Sequence, residues 1–314
     1  MKEIKVSSFA KINFSIDVTG LLDNGMHSVD MIMHQIDFHD DVKIQYVAEP
    51  NRGKGDFDIE LTTNRYYLPT DERNLAYKAA LLMVREFGQN MPGGRITIDI
   101  LKRIPVAAGM AGGSGNGAAV LHGINALWKL NLSLDELCRL SAELGSDIPF
   151  CVMGQARMNY VLPRNVRKDA LAVSCARATG TGTQMTPLPA VRMPLVIAKP
   201  SIGVSTKEVY QGIDHCIIDE HPDNDLMIQA IEAKDEQRFY DQCINVLECY
   251  TLDAYPRVKE LKELLLQDER AKKVLMSGSG PTVFALYGNI SEAKNACMKL
   301  RKKGYEAYWT KTTK

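Results

Sequence analysis

The segment that decides the fold reads Ile104-Pro-Val-Ala-Ala-Gly-Met-Ala-Gly-Gly-Ser-Gly-Asn-Gly-Ala-Ala-Val-Leu-His122. It places a glycine-rich turn between a strand-like stretch and a helical one, with the helix predicted to begin near Asn116. Glycines let backbone N–H groups converge without Cβ atoms in the way, and a helix start adds unpaired amides and a positive dipole end. The segment therefore predicts a site for an anion such as phosphate. A flexible glycine turn without a ligand is the alternative for the glycines taken alone.

Two known phosphate-loop patterns do not fit this segment. A Walker loop requires Gly-Lys-Ser/Thr, and no lysine follows these glycines. The dinucleotide-binding fingerprint is matched in part by Gly113-x-Gly115-x-x-Ala118, but it also needs an acidic residue at the end of the next strand. Asp135 and Glu136 lie at about that distance, but they fall in a predicted helix. The sequence therefore disfavours a Rossmann fold.

Length and composition limit the class of protein. The 314 residues suit two domains of ordinary size, and the hydrophobic fraction of 45% supports folded cores. Lysine plus arginine equals aspartate plus glutamate at 38 each, so the charge balance indicates no nucleic-acid partner. The seven cysteines form no Cys-x-x-Cys pair, which favours reduced thiols in a cytoplasmic protein. We find no hydrophobic signal region and no apolar run of about 18 residues, so no membrane attachment is expected.

Strands dominate the predicted structure of the first hundred residues. The clearest is Arg95–Lys102, which alternates at period two. The other predicted strands span residues 3–19, 28–47 and 56–62. One helix, Asn74–Phe87, interrupts them, with Asp71 or Asn74 as its predicted cap.

The rest of the chain mixes helices with further strands. A capping box, Ser133-Leu-Asp-Glu136, predicts a helix that Gly145 is expected to end. From about residue 190 the pattern predicts a strand at 194–199, three helical stretches between about 223 and 267, strands at 273–277, 284–287 and 305–310, and a helix from about 290. Two helices packed on a small antiparallel sheet explain much of this half. Because helices and strands do not alternate strictly, the sequence predicts an α+β fold.

Phosphoryl transfer is the chemistry for which the sequence offers candidate residues. No Ser/His/Asp or Cys/His arrangement and no metal-spaced His/Cys cluster can be assembled. Phosphoryl transfer needs a phosphate cradle, a cation and an acidic residue near the attacking hydroxyl. Asp147 is the candidate base, with a helix cap as its structural alternative. Lys11 lies in an apolar strand, either solvent-facing or buried against Asp147 or a phosphate. His27 and the loop Ser277-Gly-Ser-Gly280 are candidate ligand contacts. The alternative for His27 is a surface histidine, and the alternative for the loop is a tight connection between strands.

Three motifs in this order resemble the GHMP kinase superfamily across nearly the whole chain. They are Ala10-Lys-Ile-Asn13, Pro105–Ala119 and Ser277-Gly-Ser-Gly280. Finer features resemble the branch that phosphorylates the 2-hydroxyl of a cytidine diphosphate sugar alcohol on the non-mevalonate route to isoprenoid precursors. These features are Gly25-Met-His27, Ile36-Asp-Phe-His-Asp-Asp41, Asn74-Leu75, Gly145-Ser-Asp-Ile-Pro-Phe150, Gly180-Thr-Gly182, Asn224-Asp-Leu226 and Met276-Ser-Gly-Ser-Gly-Pro-Thr-Val-Phe284.

The resemblance implies a two-domain fold with the site between the domains: a ribosomal-S5-like ATP-binding domain at 1–189 and a ferredoxin-like substrate domain at 190–314. It implies that Asp147 is the base for the substrate hydroxyl and that Lys11 beside it stabilises charge. ATP and Mg²⁺ are the implied cofactors, with Ser114 approaching the phosphates or Mg²⁺. The residues implied for ATP binding are Pro105, Gly109, Gly112, Gly113, Ser114, Gly115, Asn116, Lys102 and Asn74. Those implied for the alcohol substrate are Asn13, His27, Tyr210, Thr206, Ser277 and Gly278, with His27 and Tyr210 at the cytosine.

Departures from the family pattern leave alternatives open. The usual Gly-Gly-Ser-Ser-Asn-Ala-Ala reads Gly112-Gly-Ser-Gly-Asn-Gly-Ala-Ala119, so one hydroxyl is missing, and Met26 replaces an aromatic residue before the substrate histidine. Residues 156–174 look like an insertion, predicted to be a tolerant surface excursion, or alternatively a basic segment curled over the phosphates. A kinase for an alcohol without cytosine and a paralogue that has lost catalysis are the alternative functions. We expect a monomer or homodimer.

Overall fold

The computed structural model describes residues 2–23 and 25–314. The elements of the first part of the chain are, in order, β1 (Lys2–Leu21), β2 (His27–Ala48), β3 (Phe57–Thr63), α1 (Leu75–Phe87), a 3₁₀ turn (Gly88–Asn90), β4 (Gly94–Leu101), α2 (Gly112–Trp128), α3 (Leu134–Ala142), α4 (Ile148–Met158) and α5 (Arg164–Arg167). Those of the second part are β5 (Cys175–Gly180), β6 (Gln184–Leu188), β7 (Pro194–Lys199), α6 (Thr206–Ile213), α7 (Asn224–Ala233), α8 (Glu236–Asp241), α9 (Glu248–Ala254), α10 (Pro256–Leu266), β8 (Ala271–Met276), β9 (Val283–Tyr287), α11 (Ile290–Lys302) and β10 (Glu306–Lys311).

These elements form two compact units that are not continuous in sequence. The first unit contains the residues up to Ala10, Phe38–Pro105 and Ala111–Val173. The second contains Lys11–Asp37, Val106–Met110 and Ser174–Lys314. The long strands β1 and β2 therefore contribute residues to both units. A domain boundary between residues 189 and 190 stays a prediction.

The sheet of the first unit has one face covered by helices. β4 pairs antiparallel with the end of β2, Ile100 lying opposite Val42, and parallel with β3. Its isoleucines at 96, 98 and 100 are buried in the same core as residues of α1 and α2, while Arg95 and Asp99 are exposed. The period-two prediction for this strand is therefore confirmed, because one face of the strand packs against helices.

Two helix starts match their predicted caps. The Oδ1 atom of Asn74 accepts a hydrogen bond of 3.0 Å from the Ala76 amide at the start of α1. Before α3, Ser133 and Glu136 form both hydrogen bonds of a capping box. The prediction that Gly145 ends α3 is wrong, because the helix ends at Ala142 and Glu143 caps it in a right-handed conformation. Glycine is favoured as a helix stop only where the backbone turns left-handed.

The segment 156–174, except for its last residue, belongs to the first unit and contributes side chains to the core of that unit. Leu162, Val166 and Ala172 are buried in its apolar cluster, although Tyr160 and Val161 on the same segment are exposed. The prediction of a surface excursion is therefore wrong. The segment is too short to enclose a core of its own, but its apolar side chains complete a core that already exists.

The second unit contains two sheet regions. The first part of β2 pairs antiparallel with β5, and β5 with β6. A separate antiparallel sheet has the strand order β10-β7-β9-β8, and α10 and α11 pack on it, as the sequence predicted. Four helices rather than three lie between residues 224 and 266, because Lys234 turns left-handed (φ 57°) and Asp235 caps a new helix. No helix within residues 2–23 and 25–314 is long and apolar enough to cross a membrane.

Candidate active site

The glycine-rich segment begins a long helix earlier than predicted. Helix α2 begins at Gly112 rather than near Asn116, and Ala111 before it adopts a left-handed conformation (φ 54°). Gly113 is exposed and Ser114 is partly exposed in the first turn. The first amides of a helix have no acceptor within it, and the dipole makes this end positive. The start of α2 therefore has the chemistry of an anion site, as the sequence predicted.

Two glycines of α2 lie in close contact with neighbouring side chains. A Cβ atom on Gly112 would lie 2.6 Å from Nζ of Lys102 and 2.9 Å from a methyl group of Ile104. A Cβ atom on Gly115 would lie 2.6 Å from Oγ of Ser8. The serine that the family pattern has at this position would therefore collide with Ser8 unless one of them moved. Glycine at this position avoids that contact.

Lys102 and Asn116, two predicted ATP-binding residues, meet at a buried carboxylate. Asp40 accepts one hydrogen bond from the Lys102 ammonium and another, of 2.9 Å, from Nδ2 of Asn116. Burial lowers the pKa of Lys102, and the charge of Asp40 opposes that shift. A role for either residue at the adenine or phosphates of ATP stays a prediction.

Asn74 and Asp147 occupy the starts of two different helices. The side chain of Asn74 is used locally, since it also donates 2.8 Å to the Pro69 carbonyl. Asp147 stands at the N-cap position of α4, with Pro149 in the first turn, and its side chain makes no capping hydrogen bond. Asp147 therefore occupies the position of a helix cap followed by proline, as the structural alternative predicted, although its side chain does not cap the helix. Its role as a base stays a prediction.

In the second unit, five predicted site residues form two sets of contacts, one around Asn13 and one between Ser277 and Gly109. Lys11 is buried, so the solvent-facing alternative is wrong, and its Nζ donates 2.7 Å to Oδ1 of Asn13. The same oxygen accepts 3.1 Å from the Gly278 amide. Ser277 donates 3.0 Å to the Gly109 carbonyl. Gly109 is left-handed (φ 68°), and a Cβ atom there would lie 2.2 Å from the Ser277 carbonyl oxygen, so only glycine fits.

His27 is held by one face of α6. Its Nε2 lies 2.8 Å from Oδ1 of Asp214, and its ring centroid lies 5.4 Å from that of Tyr210. Tyr210 and Asp214 are four residues apart and therefore neighbours on a helical face. With 10% of its side chain exposed, His27 is not a surface histidine. On the same helix, Thr206 contacts the hydroxyl of Ser279 at 2.9 Å.

Comparison with known proteins gives one family. The family models named GHMP kinases N terminal domain and GHMP kinases C terminal match residues 74–155 and 226–306. The 4-diphosphocytidyl-2-C-methyl-D-erythritol kinase of Alkaliphilus metalliredigens is 40% identical over 297 residues, which cover 94% of this chain and 92% of the relative. The chain belongs to the GHMP kinase family. Its Listeria monocytogenes (strain HCC23) relative of the same name is 41% identical over 302 residues, 95% of this chain and 92% of that protein.

A solved structure agrees with this GHMP kinase along its full length. The crystal structure of a 4-(cytidine 5'-diphospho)-2C-methyl-D-erythritol kinase superposes with a TM-score of 0.76 at 25% identity, covering 99% of this chain and 100% of that one. The predicted two-domain α+β kinase fold is confirmed, and the chain is a small-molecule phosphotransferase.

Two carboxylates of the kinase were not among the predicted site residues. Asp40 lies in the quoted motif Ile36–Asp41, but a strand pattern does not distinguish a buried aspartate from an exposed one. Asp214 follows Tyr210 by one helical turn, and that spacing is the signal by which the sequence could have assigned it. Ser8, which contacts Gly115 and Asn116, carries no motif signal.

Proposed function

We propose that this kinase transfers the γ-phosphoryl group of ATP to the 2-hydroxyl of 4-diphosphocytidyl-2-C-methyl-D-erythritol on the non-mevalonate route to isoprenoid precursors. The observation that carries the proposal is the name shared by relatives about 40% identical over more than nine tenths of both chains. The motif residues Lys11, His27, Ser114 and Asp147 are all present, which favours an active enzyme over a paralogue that has lost catalysis.

In this proposal, the start of α2 binds the phosphates of ATP through the backbone at Gly112, Gly113 and Ser114. Backbone amides and the helix dipole attract the anion without a lysine in the loop. Within residues 2–23 and 25–314, no group of three or more histidine, cysteine or acidic side chains could hold a metal ion. Mg²⁺ that arrives with a nucleotide needs only one or two protein oxygens, and the Ser114 hydroxyl suits that role. When bound, Mg²⁺ neutralises charge on the phosphates.

The second unit supplies the proposed contacts to the alcohol substrate. His27, oriented by Asp214 and flanked by Tyr210, receives the cytosine. Asn13, Thr206, Ser277 and Gly278 are the other proposed contacts. Lys11 stabilises negative charge, and Asp147 accepts the proton of the attacking hydroxyl. Phosphoryl transfer has a loose transition state, so positioning and charge stabilisation supply most of the rate.

The test is release of ADP by the purified kinase with ATP, Mg²⁺ and one of several alcohols. The expected result is fast release with 4-diphosphocytidyl-2-C-methyl-D-erythritol, and little with 2-C-methyl-D-erythritol, homoserine, mevalonate or no alcohol. ³¹P NMR of the product should place the new phosphate on the 2-hydroxyl. Faster release with another alcohol would show a different substrate. The other alcohols are included because Met26, which is 46% exposed, replaces the aromatic residue that the family has before the substrate histidine. No release with any alcohol would refute kinase activity.

We further propose a cytoplasmic kinase without nucleic-acid or membrane partners, acting as a monomer or homodimer. The equal numbers of acidic and basic residues and the seven free cysteines support this proposal. Size-exclusion chromatography with light scattering measures the oligomeric state, and a mass above that of a dimer would contradict it.

A further inference from the structure

Asp40 is a fully buried carboxylate that accepts four hydrogen bonds. Two come from the backbone amides of Arg103 and Ile104, at 2.6 and 2.8 Å. The other two come from the Lys102 ammonium and, at 2.9 Å, from Nδ2 of Asn116. A buried charge is tolerated when it is paired and its lone pairs are satisfied, and Asp40 meets both conditions.

All four donors belong to the two ends of the glycine-rich segment. Lys102, Arg103 and Ile104 follow β4 directly, where the chain leaves the sheet, and Asn116 lies in the second turn of α2. Asp40 therefore ties the entrance of the segment to the helix at its exit. Nδ2 of Asn116 is also 3.1 Å from Oγ of Ser8, which anchors the same side chain to β1.

The Lys102 ammonium lies against the first residue of α2. Its Nζ is 2.6 Å from the place where a Cβ atom of Gly112 would stand. A buried positive charge at that place adds to the positive end of the helix dipole. Asp40 holds the ammonium there and compensates part of the desolvation that lowers its pKa.

We propose that Asp40 is a positioning residue for nucleotide phosphates, which acts by holding Lys102 beneath Gly112 and by fixing Asn116. It sets the place of the first amides of α2 and of the buried positive charge before the nucleotide binds. Preorganised donors bind a phosphate without rearranging, and a displacement of about 1 Å can lower a reaction rate about a hundredfold. The inference rests on the proposed function only in taking ATP as the phosphoryl donor.

The test compares three variants of the full chain: Asp40→Asn, the double variant Asp40→Asn/Lys102→Met, and Asp41→Asn. The double variant removes both buried charges, which is often neutral for stability, whereas the single variant leaves an unpaired buried lysine. Asp41→Asn is the matched control, because Asp41 is the next residue and pairs with Arg103 and Lys5 at 2.8 and 3.1 Å without touching Lys102. Calorimetry measures the Kd of ADP and of 4-diphosphocytidyl-2-C-methyl-D-erythritol, and thermal unfolding measures stability.

We expect the Kd of ADP to rise about 10- to 100-fold in both Asp40 variants, the size of one lost hydrogen bond to a charged group, with the Kd of the cytidylyl substrate unchanged. The double variant should unfold near the wild-type temperature, and its Kd for ADP should nevertheless be raised. A purely structural ion pair would not explain that combination. The control should bind both ligands as the wild type does.

Either of two results would overturn the positioning role. One is a stable double variant that binds ADP within about twofold of the wild type, and the other is an equal loss of affinity for both ligands. If Asp40→Asn is insoluble, the double variant decides. Failure of the wild type to bind ADP would refute both this inference and the proposed use of ATP. If the wild type releases ADP from ATP normally and the Asp40 variants also bind ADP with normal affinity, only the inference about Asp40 is refuted.

Discussion

Replacing Val166 by alanine measures how much residues 156–174 contribute to the first unit. Val166 is 1% exposed in the apolar cluster of that unit, whereas Val161 in the same segment is 59% exposed. The substitution removes two buried methyl groups, worth about 1.6 kcal/mol at about 0.8 kcal/mol each. The cavity that remains raises the loss to about 2–3 kcal/mol. The same change at Val161, the matched control, should stay within about 0.5 kcal/mol.

The assay uses the two tryptophans of the chain, one in each unit. Trp128 lies in the core of the first unit, and Trp309 is partly exposed in the second. In a Trp309→Phe background, the fluorescence of Trp128 therefore reports the first unit alone. At about 2–4 °C per kcal/mol, Val166→Ala should lower the unfolding temperature of this unit by about 4–12 °C. An equal, small shift for Val166→Ala and Val161→Ala would refute the assignment of the segment to the core.

Three further predictions concern catalysis, recognition and pH. Asp147→Asn should lower kcat about 10² to 10⁴-fold, toward the low end because the transition state is loose. The Kd of ATP measured by calorimetry should stay unchanged. Near wild-type turnover would exclude Asp147 as the base. His27→Ala should raise KM for the cytidylyl substrate far more than KM for ATP, because a site built to hydrogen-bond a base loses that partner; equal changes in steady-state kinetics would indicate a structural histidine. Burial lowers the pKa of His34 and His122 to about 4, so below about pH 6.5 the unfolded chain binds protons that the folded chain does not. Folding stability should therefore be complete above pH 7 and fall by up to about 1.4 kcal/mol per pH unit per histidine toward pH 4, and a urea midpoint constant over that range would contradict this.

Local signals in the sequence were enough for most of the elements. Most of the strands and the caps at Asn74 and Ser133 were predicted because their causes are alternation and short-range hydrogen bonds, which neighbouring residues determine. The strands β5 and β6 were not predicted. The break at Lys234 was missed, because a lysine in a left-handed conformation has no sequence signature comparable to glycine. The burial of Val166 was also missed, because it depends on a core that distant segments build.

In the candidate site, local motifs predicted the residues but not the contacts that hold them. The motifs identified which residues belong together, and the structure brings Lys11, Asn13 and Gly278 into contact in the second unit. The motifs did not reveal what holds Lys102 and His27, because Asp40 lies 62 positions from Lys102 along the chain and Asp214 lies 187 positions from His27. Long-range hydrogen bonds of this kind depend on the fold, so no local pattern predicts them.

The glycines of the central segment show why composition alone overstates its flexibility. A glycine-rich loop suggests a mobile backbone, but Gly112 and Gly115 lie within a regular helix, where Lys102 and Ser8 pack closely against them. The left-handed residue at the helix start is instead Ala111, where a side chain makes that conformation unfavourable. The start of α2 is therefore a defined, close-packed conformation rather than an open glycine loop. Such a helix start suits the proposed anion site, because its amides are already oriented before an anion binds.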